Sequence, residues 1–334
     1  MKTTRIAAFL AFVALIATGT VLASGAGEAA RPQSTVIGIS KIVAHPALDA
    51  VEQGIIDELR ELGFTDLTFD LQNANGDIST AASIATKFRT DGVRLAVGIA
   101  TPTAQALVNA ITTIPVVYSA VTNPVEAGLV DTFDAGRENV TGLSDMTPVG
   151  AQFDLIRDVI GARTVGHVYA SGEANAVSLA GMAREAAAER GMEFVEATVV
   201  NSSEVRAAVQ SISRRVDVLY VSTDNTVVSA LAAVTDVTAA AGLPVVLADA
   251  TSAMDGGVML ALGFDYYKLG RATGRLVADI LNGADPASIP TQFMTDPSDL
   301  NLLVNLDVAA ALGIEISDAL LAEASMVIQN GQLR

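Results

Sequence analysis

The 334-residue chain has no cysteine, no tryptophan and only two histidines, and aromatic residues make up 4% of it. Without cysteine there is no disulfide framework and no thiolate for lipid attachment, zinc binding or covalent catalysis. The G-x-S-x-G elbow, H-E-x-x-H, the P-loop and G-x-G-x-x-G are also missing, which removes the common nucleophile, metal and nucleotide signatures. Basic residues are scarce: 20 Lys and Arg stand against 37 Asp and Glu, a net charge of −17. Such a surface repels nucleic acid and anionic membranes. The acidic residues are scattered over helix faces, so most of them form a solvated surface rather than a site.

Long apolar runs are equally scarce. The leader MKTTRIAAFLAFVALIATGTVLASGAGEAA opens with Lys and Arg, continues through an apolar run from Ile6 to Ile16 and offers small residues near Val21 and Ala23. That order reads as an export signal over residues 1–23, and the run falls short of the ~20 residues a spanning helix needs. A soluble periplasmic protein without a lipid anchor is the expectation. Removing 23 of 334 residues leaves about 310, more than one core usually organises, so two lobes are expected.

The chain does contain an internal duplication. VIGIS from Val36 is echoed by VGHVYAS from Val165, VGIATPTAQAL from Val97 by LYVSTDNTVVSAL from Leu219, and IPVVYSAVTNP from Ile114 by LPVVLADATSA from Leu243. The three matches occur in the same order. Each half alternates Val/Ile/Leu-rich strands with helices, which predicts an α/β fold of two similar doubly wound parallel-sheet lobes. Lobe 1 is expected over 34–145 with contributions from about 261–300, and lobe 2 over 146–260 with contributions from about 301–334. Several crossings between them make a hinge.

One strand-to-helix corner is legible in detail. In SKIVAHPALDA, residues 40–50, Pro46 suits the first helical position and disfavours a helical His45. Leu48, Val51, Ile55, Leu59 and Leu62 follow at helical spacing, and Gly63 supplies the stop. His45 therefore shapes the corner and is a candidate ligand contact; His167 reads as a packed residue of the second lobe.

Ligands of open parallel sheets sit beyond the carboxyl ends of the strands. Polar clusters fall there: Ser40 with Lys41, Asn73 to Asp77, Thr101 with Thr103, Ser119 to Asn123, Ser171 to Asn175, Asn201 to Glu204, Ser222 through Thr223, Asp224 and Asn225, and Asp249 to Ser252. Hydroxyls, amides and carboxylates facing across a cleft describe a site for a small zwitterion. The same residue types also cap helices, and for each cluster both readings stand. The corners at Ser40 and Thr101 can hold a carboxylate on helix N-termini. Asp224, then Asp249, then Asp265 are the candidates for an ammonium. Ile42, Val43, Tyr118 and Tyr266 offer apolar contact, with Tyr118 equally suited to the core. No cofactor is expected.

Taken together, HPALDA, NANGD, ATPTAQAL, IPVVYSAVTNPVEAGLV and LGIEISDALLAEA resemble the ABC-transporter substrate-binding family that includes the tryptophan- and tyrosine-binding TrpX-type proteins. The resemblance runs from Val36 to about Ile328. It implies a type I periplasmic-binding fold that closes over a small ligand, an amino acid with aromatic ones included, and delivers it to a membrane permease with its ATPase. A monomer is expected, and the missing motifs argue against catalysis. The family's acidic-then-proline pair stands here as Asn123-Pro124, an amide in place of a carboxylate. Sugar or nucleoside binding on the same fold is the alternative, though the lack of Trp weakens stacking on sugar rings. A carboxylate-dependent enzyme using Asp224 and Asp249 is a further alternative. A DNA-binding regulator would need a basic helix-turn-helix where the leader stands.

Overall fold

A computed structural model describes residues 34–334, so the export-signal reading of residues 1–23 lies outside the described residues. The chain opens with β1 (Val36–Lys41), α1 (Pro46–Glu61), β2 (Thr68–Asn73), α2 (Ile78–Asp91), β3 (Leu95–Ile99), α3 (Thr101–Ala110), β4 (Val116–Ser119) and β5 (Val140–Ser144). A second run follows: α4 (Val149–Leu155) with a π-turn at Ile156–Ile160, β6 (Thr164–Ala170), α5 (Ala174–Glu189), β7 (Glu193–Val199), α6 (Val205–Ile212), β8 (Val218–Val221), α7 (Asn225–Val228), α8 (Leu231–Ala241), β9 (Val245–Leu247) and β10 (Leu260–Phe264). The chain ends with α9 (Tyr266–Leu281), β11 (Gln292–Phe293), β12 (Leu300–Asn305), α10 (Leu306–Leu312), α11 (Asp318–Glu323), β13 (Met326–Gln329) and β14 (Gln332–Leu333).

Two sheets result, ordered β11-β5-β4-β3-β1-β2 and β14-β13-β12-β10-β9-β8-β6-β7. The order 2-1-3-4-5 of the first recurs as 7-6-8-9-10 in the second, which is the duplication seen in the sequence. Central strands β3, β4 and β5 are buried along their whole length, as apolar parallel strands covered by helices on both faces must be. Edge strand β2 is half exposed and carries polar residues. Antiparallel pairing is confined to the end of the second sheet, where β12 runs against β10 and β14 against β13.

The last strand of each run hands the chain to the other lobe. After β5 the chain crosses at residues 145–148 to α4, which packs on α5. After β10 it crosses back at Asp265 into α9, which lies along α1 and against β4 and β5. A third crossing, residues 294–299, joins β11 beside β5 to β12 beside β10. The sequence leaves the number of crossings open, and it is three.

Helix α9 is tightly bound to its adopted lobe. A Cβ on Gly54 would run into the Tyr267 carbonyl oxygen, and one on Gly270 into that of Val51, so glycine permits the two backbones to touch. Arg271 adds ion pairs to Glu58 and Glu61, and Ser119 Oγ meets Thr273 Oγ1 at 2.7 Å. The crossings therefore join two well-packed lobes through short segments.

Candidate functional site

At the carboxyl ends of both sheets lies a narrow cavity, with free space of only about 10 Å³. His45, Ala47, Leu48, Ala120, Thr122 and Asp145 line it from the first lobe; Asn175, Thr223, Asn225, Val228 and Asp249 line it from the second. Tyr266, the first residue of α9, completes the wall. Three of these residues, His45, Asn175 and Thr223, carry buried polar atoms without a hydrogen-bond partner. A broader outer groove bounded by Leu155, Leu262, Leu302 and Leu320 has no such atoms, so its chemistry demands no ligand.

The first-lobe wall is built by the proline corner. Pro46 opens α1, and His45 is its extended N-cap residue, with φ −158° and ψ 162°, but its side chain makes no cap. The first helical hydrogen bond runs from Asp49 N to His45 O, which leaves the amides of Ala47 and Leu48 without an acceptor beside the cavity. These free N–H groups at the positive end of a 16-residue helix favour an anion. Burial holds His45 down to about 4, so the ring is neutral at pH 7. Ala120, next along this wall, adopts a left-handed φ of 53°, a conformation costly for a residue with a Cβ.

The opposite chemistry gathers around Asp145 and Asp249. Asp145 follows β5 at the first crossing and accepts hydrogen bonds from Tyr266 Oη at 2.8 Å and Thr122 Oγ1 at 3.3 Å. Asp249 follows β9; its Oδ1 accepts from the backbone N–H groups of Thr251 and Ser252, and no backbone N–H reaches Oδ2. Burial pushes both carboxyls up, Asp249 to about 6, with Asp145 raising it further. Neither carboxylate has a cationic partner among the described residues. Two buried acids of this kind are satisfied by a cationic nitrogen. Among the described residues no cluster of His, Asp and Glu is arranged to hold a metal ion.

Of the residues singled out from the sequence, the cavity brings together His45, Thr223, Asn225, Asp249 and Tyr266. Asp224, the first choice for the ammonium, requires correction. It is fully buried, and both its oxygens serve the backbone: Oδ1 accepts from Val227 N at 2.9 Å and Oδ2 from Ala170 N at 2.6 Å. It ties β6 to the start of α7 and does not line the cavity. Asp265 likewise caps α9 through Lys268 N.

The remaining first-lobe candidates also lie outside the lining. Ser40 and Thr101 are not among the lining residues, although their hydroxyls are buried without a partner, and Ile42 belongs to the first core. Thr103 Oγ1 donates to the carbonyls of Ile99 and Ala100, and Ser119 pairs with Thr273. Asn123 accepts from Glu126 N and closes its own turn. Val43 packs against the core, while Tyr118 is buried with its hydroxyl on Thr291. His167 is packed between Tyr169 and Tyr220. Asn73, Asp77 and Asn201 accept from nearby backbone N–H groups as turn and cap residues. Sequence reasoning passed over Asp145, although an aspartate directly after a buried strand and at a crossing was the available signal. Thr122 and Asn175 lay within quoted clusters without being singled out.

Residues 36–328 match the family described as ABC transporter substrate binding protein. A "Tyrosine-binding protein" of Clostridioides difficile (strain R20291) is 35% identical over 283 residues, covering 84% of this chain and 81% of the relative. The solved structure of an ABC domain in complex with L-Trp from Streptococcus pneumonia is 31% identical, covers 88% of this chain and 100% of its own, and superposes with a TM-score of 0.84. The ligand-free, open structure of a Clostridium difficile substrate-binding protein with adhesive properties is 36% identical, covering 85% of this chain and 96% of its own, yet its TM-score is 0.64. Of these two structures the more identical superposes less well. With its type I periplasmic-binding fold and a family match that spans nearly all the described residues, this chain belongs to the ABC transporter substrate-binding protein family.

Proposed function

We propose that this protein is the solute-binding component of an ABC importer and captures an aromatic amino acid between its two lobes. Asp145 and Asp249 neutralise the ligand's ammonium. The free amides of Ala47 and Leu48 at the start of α1 receive its carboxylate, and Leu48, Val228 and Tyr266 border the side chain. The observation that carries this reading is the pair of buried, cation-free carboxylates facing an uncapped helix N-terminus across one cavity. That pattern is the negative image of a zwitterion. The ligands named for the relatives, tyrosine for one and L-Trp for another, support an aromatic side chain.

Members of the family work outside the inner membrane, and no helix among the described residues is long and apolar enough to cross one. In this reading the protein is exported to the periplasm without a lipid anchor, acts as a monomer without catalysis, and hands its ligand to a permease driven by an ATPase. The test is a thermal-shift screen with L-tyrosine, L-tryptophan, L-leucine, glucose and adenosine, followed by calorimetric titration of each hit. The aromatic amino acids should give the largest shifts. Stabilisation by glucose or adenosine alone would overturn the assignment.

A further inference from the structure

Behind the cavity wall a buried carboxylate decides which way an amide faces. Glu173 precedes α5 and is 6% exposed. It accepts hydrogen bonds from Asn225 Nδ2 at 2.5 Å, Thr226 N at 3.1 Å and Thr226 Oγ1 at 2.6 Å. An asparagine side chain has one donor end and one acceptor end. Reversing Asn225 would set its oxygen against the Glu173 carboxylate in a dry interior, where unpaired acceptors repel most strongly. Its Nδ2 is therefore fixed inward, and its carbonyl is left for the cavity that it lines.

Asn175 has the same polarity. Its Nδ2 donates to the Thr223 carbonyl at 3.2 Å, and its Oδ1 is buried without a partner. His45, which lines the same cavity, has both ring nitrogens buried without a hydrogen-bond partner, and burial keeps the ring neutral. The amide and carboxylate groups of the second-lobe wall, Asn175, Asn225 and Asp249, thus all turn acceptors toward the ligand.

We propose that Glu173 is a positioning residue that holds the Asn225 carbonyl toward the cavity, where it accepts an N–H of the ligand's ammonium alongside Asp249. This rests on the reading that the cavity takes a zwitterionic amino acid, and it extends that reading to a group that never touches the ligand. It also sets specificity. A keto acid of the same shape would bring oxygen lone pairs against a wall of acceptors, which repels it, and a hydroxy acid would offer one O–H donor where the ammonium offers three.

The test is calorimetric titration of L-tyrosine and L-tryptophan into the full chain and four variants, with melting temperatures measured alongside. Glu173→Gln gives Asn225 a donor to face, so the amide can turn, and affinity should fall about tenfold. Asn225→Asp should weaken binding similarly, because two carboxylates then meet at hydrogen-bond distance. Combining them should restore affinity to within about threefold of the parent. In that double variant the introduced glutamine amide donates to the introduced carboxylate, whose other oxygen still accepts from the ammonium. If Asn225 instead donates to the ligand's carboxylate, the double variant abolishes binding, and the inference is overturned. Parent-like binding by both single variants overturns it too. Should Glu173→Gln fail to fold, the difference between Asn225→Asp and the double variant still decides. The fourth variant, Asp249→Asn, separates the two levels. If it also binds like the parent, the cavity reading itself has failed; if it alone loses binding, only the role of Glu173 has.

Discussion

Two aspartates end neighbouring strands of the second sheet, and they have opposite fates. Asp224, after β8, and Asp249, after β9, are both buried and both touch the first turn of the segment that follows. Asp224 meets backbone N–H groups with both oxygens, one from its own turn and one from Ala170 on β6. Asp249 meets two N–H groups with a single oxygen and keeps the other clear of the backbone. The difference lies in the partners that the fold brings to the second oxygen, since the residue type is the same and both sit just beyond a strand's carboxyl end. A carboxylate becomes a cap when both oxygens are met internally, and a site residue when one is left to a ligand.

The largest expected effect falls on Asp249. Asp249→Asn keeps Oδ1 for Thr251 and Ser252 but removes the charge, so L-tyrosine or L-tryptophan affinity should drop by about 2–5 kcal/mol, about 30-fold to several thousand-fold, by calorimetry. Ligand-free stability should move the other way. A buried carboxyl pushed up to about 6 contributes stability in acid and loses it as pH rises from the ordinary carboxylate range through that value, a cost on the order of 3 kcal/mol at neutral pH. Chemical denaturation of ligand-free Asp249→Asn at pH 7 should therefore show a gain.

Next in size is the response to ligand. At 100 times its dissociation constant the ligand should stabilise the parent by about 2.7 kcal/mol. Solution scattering should show the ligand-free protein more expanded than the complex, because the arrangement described here superposes on an L-Trp complex better than on an open relative. A tight ligand that leaves the radius of gyration unchanged would remove the hinge from the account.

Asp224 should behave in the reverse manner to Asp249. Asp224→Ala orphans the Ala170 and Val227 amides at a cost of about 1–3 kcal/mol, which relief of a carboxyl pushed by burial up to about 7 offsets at neutral pH, so denaturation at pH 4 should show the loss, with the affinity of the folded fraction within about threefold of the parent. A large affinity loss at unchanged stability would make Asp224 a ligand contact and erase the contrast.

The smallest effect is with pH. Ammonium binding needs ionised Asp249, so affinity should be level above about 6 and fall by up to about tenfold per pH unit below it. Asp145, also raised, bends the curve in the same direction, while His45 stays neutral until near 4. Titrations between pH 5 and 8 should show this slope in the parent and a shallower one in Asp249→Asn.

Much of the fold was legible because its signals are local. Pro46 and Gly63 mark the ends of α1, continuous Val/Ile/Leu runs mark the buried strands, and the repeated motifs predict the matching strand orders. The sequence reading assigned about 261–300 to the first lobe, but how α9 is seated there depends on packing between distant residues, such as Gly54 against Tyr267, and helical periodicity carries no record of that. In the site, the sequence located the strand ends but not the side chains that face inward. Ser40, Thr101 and Ser119 occupy the expected corners, yet the first two are not among the lining residues and Ser119 pairs with Thr273 of α9. Asp145 was missed because its role arises from Tyr266, which is 121 residues away.

Neutralisation of an ammonium by the cavity is the central claim. Its most direct test is a pair of titrations on the parent protein, L-tyrosine against 3-(4-hydroxyphenyl)propanoate, which keeps the ring and the carboxylate and replaces the ammonium with hydrogen. The analogue should bind at least about 30-fold more weakly, since Asp145 and Asp249 would remain buried without a cation. Equal affinity for the two would contradict the account.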